Sequence, residues 1–436
     1  MRGTRLRRAL PAALGVVVLT ATVALAAVSW PSATGAHQKV GPNWSWNYGS
    51  SMDKTGNGKI ALVYSTDFVK GDWASDSGPY QGTYVTTGNV DGSTGAVTWS
   101  KGKLVSQGKK HSERPSLAAG GSNVYAIWVT QTSYDNYDGT KPRVAYVRVN
   151  NNNGAPKAWN APIRLSPGKG QVDYPVVAAS GNSAYVVYTN SKNGDMVVKR
   201  TTDAGANWTT KKVGTTTRVE QGEGLAGWPG ICAAGSNVAV VWLGANNGLL
   251  NYAISTDGGA NYSTRDGVAN LGTGAGANFS WSQCDAVGAR IGVTWTTTTG
   301  LKYREFNSGS NTWAAERTAA TFTNSTSGTY KSGYGPAVAL NGAGQVGLSW
   351  GDCKNLGCDY NKNVTRIDLG YIESGNNGAA WGPRQKLADS SVRGKTLNDS
   401  PNVLFWDADT RYIVYNGWTA NYSAYRLYLT QGEGNL

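Results

Sequence analysis

The chain has 436 residues, with 40 lysines and arginines against 27 aspartates and glutamates, which gives a formal net charge of +13 at neutral pH. A basic surface favours acidic partners. No basic run with interleaved aromatic residues stands out, so we expect no nucleic-acid partner. With only two histidines in the chain, we also expect no metal and no cofactor.

The first 36 residues have the pattern of a secretory signal peptide. Four arginines precede the apolar run LPAALGVVVLTATVALAAV, and both residues 24–26 (Ala-Leu-Ala) and residues 34–36 (Thr-Gly-Ala) offer small-residue cleavage sites. No stop-transfer cluster and no second apolar span follows. We therefore expect a secreted, extracellular protein without a membrane anchor, and a mature chain of residues 37–436 whose net charge is about +9.

The remaining chain repeats one unit of four short strands. Each unit opens with a short apolar strand, such as RPSLAA from Arg114, YPVVAA from Tyr174 and YGPAVAL from Tyr334. The second strand ends near an aromatic residue, at Tyr64, Trp128, Tyr188, Trp242, Trp295, Trp350 and Tyr415, so the repeats are 53 to 65 residues long. One such sheet cannot bury both faces alone, so the copies must pack on each other. The pattern predicts a single all-β domain, a closed seven-bladed β-propeller over residues 37–436.

The turn between the third and fourth strands carries a sharper motif. Its form is Ser/Thr-x-Asp/Asn-x-Gly-x-x-aromatic. It occurs at Ser255-Asp257-Gly259-Tyr262, at Thr201-Asp203-Gly205-Trp208 and, with Asn for Asp, at Ser374-Asn376-Gly378-Trp381. The acidic or amide side chain can bond nearby backbone N–H groups, and the glycine can take a positive φ. We interpret these residues as hairpin staples and not as catalytic acids.

With these motifs the chain resembles the Asp-box (BNR repeat) β-propellers, the superfamily that includes the sialidases. The repeated strands cover about residues 40 to 436. The resemblance implies a propeller fold, with a six-bladed ring of the sialidase type as the alternative to seven blades. It does not fix the chemistry, because a propeller is a scaffold for different sites.

Four cysteines predict disulfides in an oxidising compartment. Cys232 and Cys284 occupy nearly matching places in adjacent units, which favours a bridge between neighbouring blades. Cys353 and Cys358 enclose a short loop that a second bridge would close. Metal binding by these cysteines is the rival interpretation.

One end of the ring collects the candidate binding residues. Strand alternation brings the loops before each opening strand, and those between second and third strands, to the same end of the channel. Aromatic, acidic and basic side chains meet there, a mixture that saccharides require. The predicted substrate-binding residues are Arg114, Asp173, Tyr174, Trp228, Trp281 and Asp399. For Trp228 and Trp281, packing between blades is an equally good interpretation.

The resemblance to sialidases implies roles for individual residues. Arg114 before Pro115 resembles the Arg-x-Pro strand whose arginine grips the substrate carboxylate. Asp135 or Asp138 would be the general acid, and Tyr334 the nucleophile. Glu220 or Glu223 would be the base that activates the tyrosine. Arg114, however, directly precedes the proline, and the blade ends expected to deliver two further arginines contain none.

These observations lead to a sialidase-like glycoside hydrolase acting on an extracellular, acidic glycan, with the protein as a monomer. One alternative is a glycan-binding lectin or wall-binding protein without turnover. Another is a uronate polysaccharide lyase, in which a tyrosine would act as base and His111 is the one available histidine partner.

Overall fold

The structure of the chain is a computed structural model. It describes residues 28–30, 37–40, 45–46, 52–66, 82–106, 111–131, 143–167, 172–216, 219–220, 224–225, 227–244, 249–270, 282–297, 299–322, 332–353, 367–388, 396–419 and 425–434. These residues form 33 β-strands and contain no helix. Within these ranges there is accordingly no helix of the length and apolar character needed to cross a bilayer.

The strands form seven blades around a central axis, so the predicted seven-bladed β-propeller is confirmed and the six-bladed alternative is wrong. The first strand, β1 (Gln38–Val40), belongs to the last blade. Blade 1 holds β2 (Ser45–Trp46), β3 (Met52–Lys54), β4 (Lys59–Thr66), β5 (Gly82–Val90), β6 (Val97–Trp99) and β7 (Lys103–Leu104). Blade 2 holds β8 (His111–Gly120), β9 (Asn123–Gln131), β10 (Val144–Asn150) and β11 (Ile163–Arg164). Blade 3 holds β12 (Val172–Ser180), β13 (Ser183–Asn190), β14 (Asp195–Thr201) and β15 (Thr209–Thr215).

A short hairpin, β16 (Val219–Glu220) and β17 (Gly224–Leu225), precedes blade 4. Blade 4 holds β18 (Gly230–Ala234), β19 (Asn237–Leu243), β20 (Leu249–Ser255) and β21 (Ser263–Asn270). Blade 5 holds β22 (Ser282–Val287), β23 (Arg290–Thr296), β24 (Gly300–Asn307), β25 (Thr312–Trp313) and β26 (Arg317–Thr321). Blade 6 holds β27 (Ser332–Leu340), β28 (Val346–Cys353), β29 (Ile367–Ser374) and β30 (Gln385–Ala388). Blade 7 holds β31 (Thr396–Phe405), β32 (Thr410–Thr419) and β33 (Tyr425–Glu433).

The N-terminal strand closes the ring. Strand β1 pairs antiparallel with β33, with Gln38 opposite Leu429 and Val40 opposite Leu427. The last blade is therefore built from both ends of the propeller sequence. This pairing covers the outer edge of β33, which would otherwise expose unpaired N–H and C=O groups.

The hydrophobic core lies between the blades. The recurring aromatic residue of each second strand is buried in all seven blades, as the sequence pattern predicts; the fractions exposed are 0–3% for Tyr64, Trp128, Tyr188, Trp242, Trp295, Trp350 and Tyr415. Each of these rings packs in a cluster with apolar residues from a neighbouring strand or blade. Truncating one of these tryptophans to alanine would cost about 3–5 kcal/mol.

An X-Pro bulge interrupts the opening strand of four blades. Proline has no N–H to donate to the ladder, so the strand takes up an extra residue at this point. In blade 2, Arg114 and Pro115 stand opposite the single residue Trp128. The same arrangement sets Tyr174-Pro175 against Tyr188, Gly335-Pro336 against Trp350, and Ser400-Pro401 against Tyr415. The bulge therefore meets the recurring aromatic of the second strand.

Neighbouring opening strands are tied together around the channel. At four junctions a side-chain oxygen of one blade accepts a backbone N–H of the next blade. Asp53 accepts from Ala119 (2.8 Å), Ser116 from Val177 (3.2 Å), Ser180 from Gly235 (2.9 Å) and Asp285 from Leu340 (2.7 Å). Between blades 4 and 5 the tie is covalent, because Cys232 and Cys284 form the predicted disulfide. Cys353 is also disulfide-bonded; its predicted partner, Cys358, lies outside the described residues.

The three staple turns share one hydrogen-bond pattern. In blade 4 the Ser255 hydroxyl donates to Asp257 Oδ1 (2.7 Å) and accepts the N–H of Gly259 (2.8 Å). Asp257 accepts the N–H of Asn261 (2.9 Å), and Gly259 has a φ of 80°. Thr201 and Ser374 accept the equivalent glycine N–H groups, each at 3.0 Å. These contacts are structural, in agreement with the interpretation of the motif as a staple.

Candidate functional site

The X-Pro bulges lie at one end of the ring, where the opening strands begin. The residue just before each bulge is Glu113, Asp173, Tyr334 or Asp399, in blades 2, 3, 6 and 7. These four residues hold equivalent backbone positions. The predicted residues Asp173, Tyr334 and Asp399 therefore belong to one ring of positions around the channel, although side-chain contacts are described only for Asp173.

In blades 2, 3, 4 and 6 the residue before the proline of the opening strand has a positive φ. The φ angles are 52° for Arg114, 46° for Tyr174, 42° for Trp228 and 52° for Gly335. A positive φ costs of order 1–3 kcal/mol for a residue with a side chain, and such strain concentrates at ligand sites. Three bulky residues in consecutive blades carry this cost, whereas the equivalent position in blade 6 is a glycine.

The side chains of the three residues with a positive φ, Arg114, Tyr174 and Trp228, form one row across blades 2, 3 and 4. The Arg114 guanidinium lies over the ring of Tyr174, with 4.0 Å from Cζ to the ring centroid. The Tyr174 ring meets the Trp228 indole edge-on at 5.8 Å between centroids. Arg114 is 8% exposed and Trp228 5%, whereas Tyr174 is only partly buried. Tyr174 is therefore the member of the row that a ligand can touch, and Arg114 and Trp228 hold it in place.

A buried ion cluster lies behind this row. Asp173 is fully buried and forms ion pairs with Arg114 through Oδ1 and with Arg143 through Oδ2, the latter at 2.9 Å. Asp173 Oδ1 also accepts the N–H of Tyr174 at 3.1 Å. One carboxylate thus fixes two guanidinium groups and the backbone of the partly buried Tyr174. The predicted clamp, Arg114, is therefore already ion-paired within the protein.

Arg143 is a residue that the sequence reasoning missed. It stands directly before β10, the third strand of blade 2, and β10 begins at the end of the ring where the opening strands begin. A basic residue next to the start of a third strand is the signal in the sequence that could have found it.

Blade 6 holds a second polar cluster at the same end. Asp352 and Asp368 stand directly opposite each other on β28 and β29, next to Gly351, which pairs with Tyr334. Asp352 accepts the indole N–H of Trp350 (2.6 Å) and forms an ion pair with Arg384. Burial raises the pKa of Asp352 to about 6; the Arg384 guanidinium opposes this rise and the charge of Asp368 adds to it. Sequence reasoning did not single out either carboxylate.

Two tyrosine–glutamate pairs also occur at the opposite end of the blades. Tyr371 donates to Glu373, and Arg411 of blade 7 pairs with the same carboxylate. Burial and the charge of Glu373 hold the pKa of Tyr371 well above its ordinary value. In blade 5, Tyr303 donates to Glu305 at 2.7 Å. These tyrosines are buried and hard to ionise, so the pairs stabilise the packing between strands and do not supply a nucleophile.

Several predicted residues lie outside the described part of the chain. These are Asp135, Asp138, Glu223, Trp281 and Cys358. Their roles, and those of the Tyr334 and Asp399 side chains, stay predictions. Across the described ranges, no group of three or more His, Cys, Asp or Glu side chains could hold a metal ion.

Comparison with known proteins gives the fold. No protein-family model matches the sequence, and no curated protein matches it significantly. Among solved structures, a mutant of Trypanosoma rangeli sialidase displaying trans-sialidase activity has a TM-score of 0.50 at 12% identity, over 88% of this chain and 54% of that one. The complex of Trypanosoma rangeli sialidase with 2,3-difluoro-KDN has a TM-score of 0.50 at 11% identity, over 88% and 53%.

The chain therefore has a seven-bladed β-propeller fold that is similar to the propeller fold of the sialidases. It spans about half the length of the sialidases that it matches. A protein of unknown function from Dyadobacter fermentans DSM 18053 matches over 91% of this chain and 99% of its own, at 13% identity and a TM-score of 0.48. At 11–12% identity, the two sialidase matches concern the fold and leave the reaction open.

Proposed function

We propose that this protein is an exported, sialidase-like glycoside hydrolase that takes an acidic glycan at the end of the ring where Arg114, Tyr174 and Trp228 meet. Membership of the Asp-box propellers and a monomeric state belong to the same proposal. The observation that carries it is the row of three strained residues from consecutive blades. Backbone strain of about 1–3 kcal/mol at each of these three positions is typical of ligand sites. Here Tyr174 would contact the ligand, and Arg114 and Trp228 would hold Tyr174 in place.

The chemistry of the row suits an acidic sugar. A partly exposed tyrosine offers an aromatic face or edge to the apolar side of a pyranose ring. Arg114 and Arg143 carry two positive charges around the single charge of Asp173, so the local balance of these three groups is positive. A carboxylate on the glycan would be attracted to this end of the channel.

For turnover, we assign the roles that the sequence suggested. Asp135 or Asp138 would protonate the leaving oxygen, Tyr334 would attack the anomeric carbon, and Glu223 would accept the tyrosine proton. The equivalent backbone positions of Tyr334 and Asp173 support this assignment, because both stand just before an X-Pro bulge. Trp281 and Asp399 would complete the sugar contacts.

A second candidate function is binding without turnover. The observation in its favour is that Asp173 engages both Arg114 and Arg143. A guanidinium held by an internal carboxylate grips a substrate carboxylate less strongly than a free one, since the two carboxylates compete for the same donors. A lectin or wall-binding protein needs only the tyrosine surface and this weak positive field.

The test is to offer sialosides, uronate polysaccharides and neutral oligosaccharides to the wild type and to Tyr334→Phe, and to follow both product release and binding. Hydrolysis of an acidic glycan that falls at least about 100-fold in Tyr334→Phe supports the hydrolase. Release of an unsaturated uronate product would indicate the lyase. Binding that persists in Tyr334→Phe, without any product from the wild type, would select the lectin.

A further inference from the structure

We propose that residues Val28–Trp30 remain in the exported protein as a strap that fastens blade 7 to blade 6, so that the leader is removed before Val28 and not at the Thr-Gly-Ala site of residues 34–36. This inference rests on the proposed export of the protein. It is independent of what the channel binds.

The strap continues the edge of the last blade. Ser29 donates its N–H to the Glu433 carbonyl (2.6 Å) and accepts the Glu433 N–H (2.9 Å), so the two residues form an antiparallel bridge. Strand β1 pairs with the same strand further along, at residues 427–429. The outer edge of β33 is thus satisfied at two separate places by the N-terminal segment.

The strap also reaches blade 6. Gln385 Nε2 donates to the Val28 carbonyl at 2.9 Å. Val28 is 5% exposed and packs in the cluster that contains Tyr371, Leu387 and Val403. The Trp30 indole meets the ring of Tyr371 edge-on at 4.9 Å. A segment that is removed during export would leave these groups open to water, including the apolar surface that Val28 covers.

A glycine of β33 lies directly against the strap. Gly432 lies inside β33 and its φ is not in the positive range that requires glycine. A Cβ at this position would come within 2.7 Å of the Trp30 indole. Glycine weakens a strand, and its usual reason there is the close approach of another group. In this protein the approaching group is the Trp30 indole, and the absence of a side chain at Gly432 leaves the space that the indole occupies.

Cleavage after residue 36 would make His37 the first residue of the chain. The His37 ring is held in the fold, because its Nδ1 lies 2.7 Å from the Tyr415 hydroxyl and the ring meets that of Tyr415 edge-on at 5.6 Å between centroids. A cut at the Ala-Leu-Ala site of residues 24–26 keeps both this contact and the strap away from the chain terminus.

The primary test is the N-terminal sequence and intact mass of the protein recovered from the culture medium of an exporting host. We expect a chain that begins at residue 27 or 28. A chain that begins at residue 31 or later would overturn the proposal. A chain that keeps its first 26 residues would instead refute the leader on which the proposal rests, and that outcome is separate from any result with glycans.

A second test does not depend on processing. The substitution Gly432→Ala is made in two chains produced directly, one that starts at Ala27 and one that starts at His37. In the longer chain we expect a fall in Tm of about 2–5 °C, because the added methyl meets the Trp30 indole. In the shorter chain we expect no fall or a small rise, because alanine suits a strand better than glycine. Equal effects in both chains would contradict the strap; Gly342→Ala, where a Cβ meets nothing within 4 Å, is the control.

Discussion

Stability should fall as the pH rises from about 5 to about 8, because carboxyl groups with raised pKa values keep their protons in the folded state. Asp352 is one of them, and two others, Asp53 and Asp285, lie in the channel wall. Asp53 accepts the backbone N–H groups of Lys54 (2.7 Å) and Ala119 (2.8 Å). Burial raises its pKa from 3.8 to about 7; the backbone hydrogen bonds oppose the rise and the charge of Asp285 adds to it. Burial likewise raises the pKa of Asp285 to about 6.

The sign follows from proton linkage. Between pH 3.8 and about 7 the folded state binds more protons at Asp53 than the unfolded state does, so the free energy of unfolding decreases as the pH rises. A shift of one pKa unit is worth about 1.4 kcal/mol. From about pH 5 to about pH 8 the loss is then about 2–3 kcal/mol for Asp53 and about 1 kcal/mol for Asp285.

The assay is denaturant-induced unfolding at several pH values, on the wild type and on Asp53→Asn and Asp285→Asn. Each substitution removes one titrating group, so each should flatten the pH dependence, Asp53→Asn more than Asp285→Asn. Asp91→Asn is the control, because hydrogen bonds from Ser93 and Thr94 hold the pKa of Asp91 below its ordinary value, outside the tested range. An unchanged slope in Asp53→Asn, or a wild type that gains stability with rising pH, would refute the reasoning.

Three further predictions concern a disulfide, a residue with a positive φ and a hydrogen bond in a staple turn. Replacing Cys232 and Cys284 by serine opens a bridge with a sequence separation of 52 residues, and we expect a loss of about 4 kcal/mol in the free energy of unfolding, measured in denaturant. At Tyr174, whose φ is 46°, glycine should be more stable than alanine by about 1 kcal/mol, the reverse of the usual order in strands; thermal unfolding of both variants compares them. Ser255→Ala removes the acceptor of the buried Gly259 N–H and should lower stability by about 1–2 kcal/mol, measured in denaturant.

Each of these predictions has a contrary outcome. Full stability of the double serine variant, with a thiol assay showing that the wild type contains the bridge, would mean that the opening strands of blades 4 and 5 need no covalent tie. If alanine at position 174 is as stable as glycine, the backbone strain at that residue is absent. An unchanged stability in Ser255→Ala would mean that the staple turn does not depend on its hydroxyl.

The sequence predicted the blades well because each one repeats a local pattern. The aromatic residue that recurs in the second strand of each blade is buried at Tyr64 in the first blade and at Tyr415 in the last, and the local pattern of hydrophobic residues is enough to predict such positions. The bridge between Cys232 and Cys284 was predictable for the same reason, since matching places in adjacent repeats become neighbours in a ring.

The site was harder to predict, because its contacts cross blades. The pairing of Arg143 with Asp173 joins residues 30 positions apart in different blades, and no local pattern specifies it. The bulges at Arg114 and Tyr174 could be recognised in the sequence, because each has a proline near the start of an opening strand. The positive φ of these residues could not, because it depends on the partner strand. Asp352 bonds Trp350, two residues before it, but its ion pair with Arg384 joins residues 32 positions apart, and no local pattern specifies that pair.

The central claim is that the Tyr174 end of the channel binds an acidic glycan, and calorimetric titration of Tyr174→Ala with the best ligand from the glycan screen tests it most directly. Tyr252→Ala is the matched control. Like Tyr174, Tyr252 is partly buried and meets a tryptophan edge-on, in this case Trp313 at 5.0 Å between ring centroids. Tyr252, however, lies on the third strand of blade 4, away from the channel. We expect affinity to fall at least about tenfold in Tyr174→Ala, or about 1.4 kcal/mol, and to stay at the wild-type value in Tyr252→Ala. Undiminished binding by Tyr174→Ala would contradict the account.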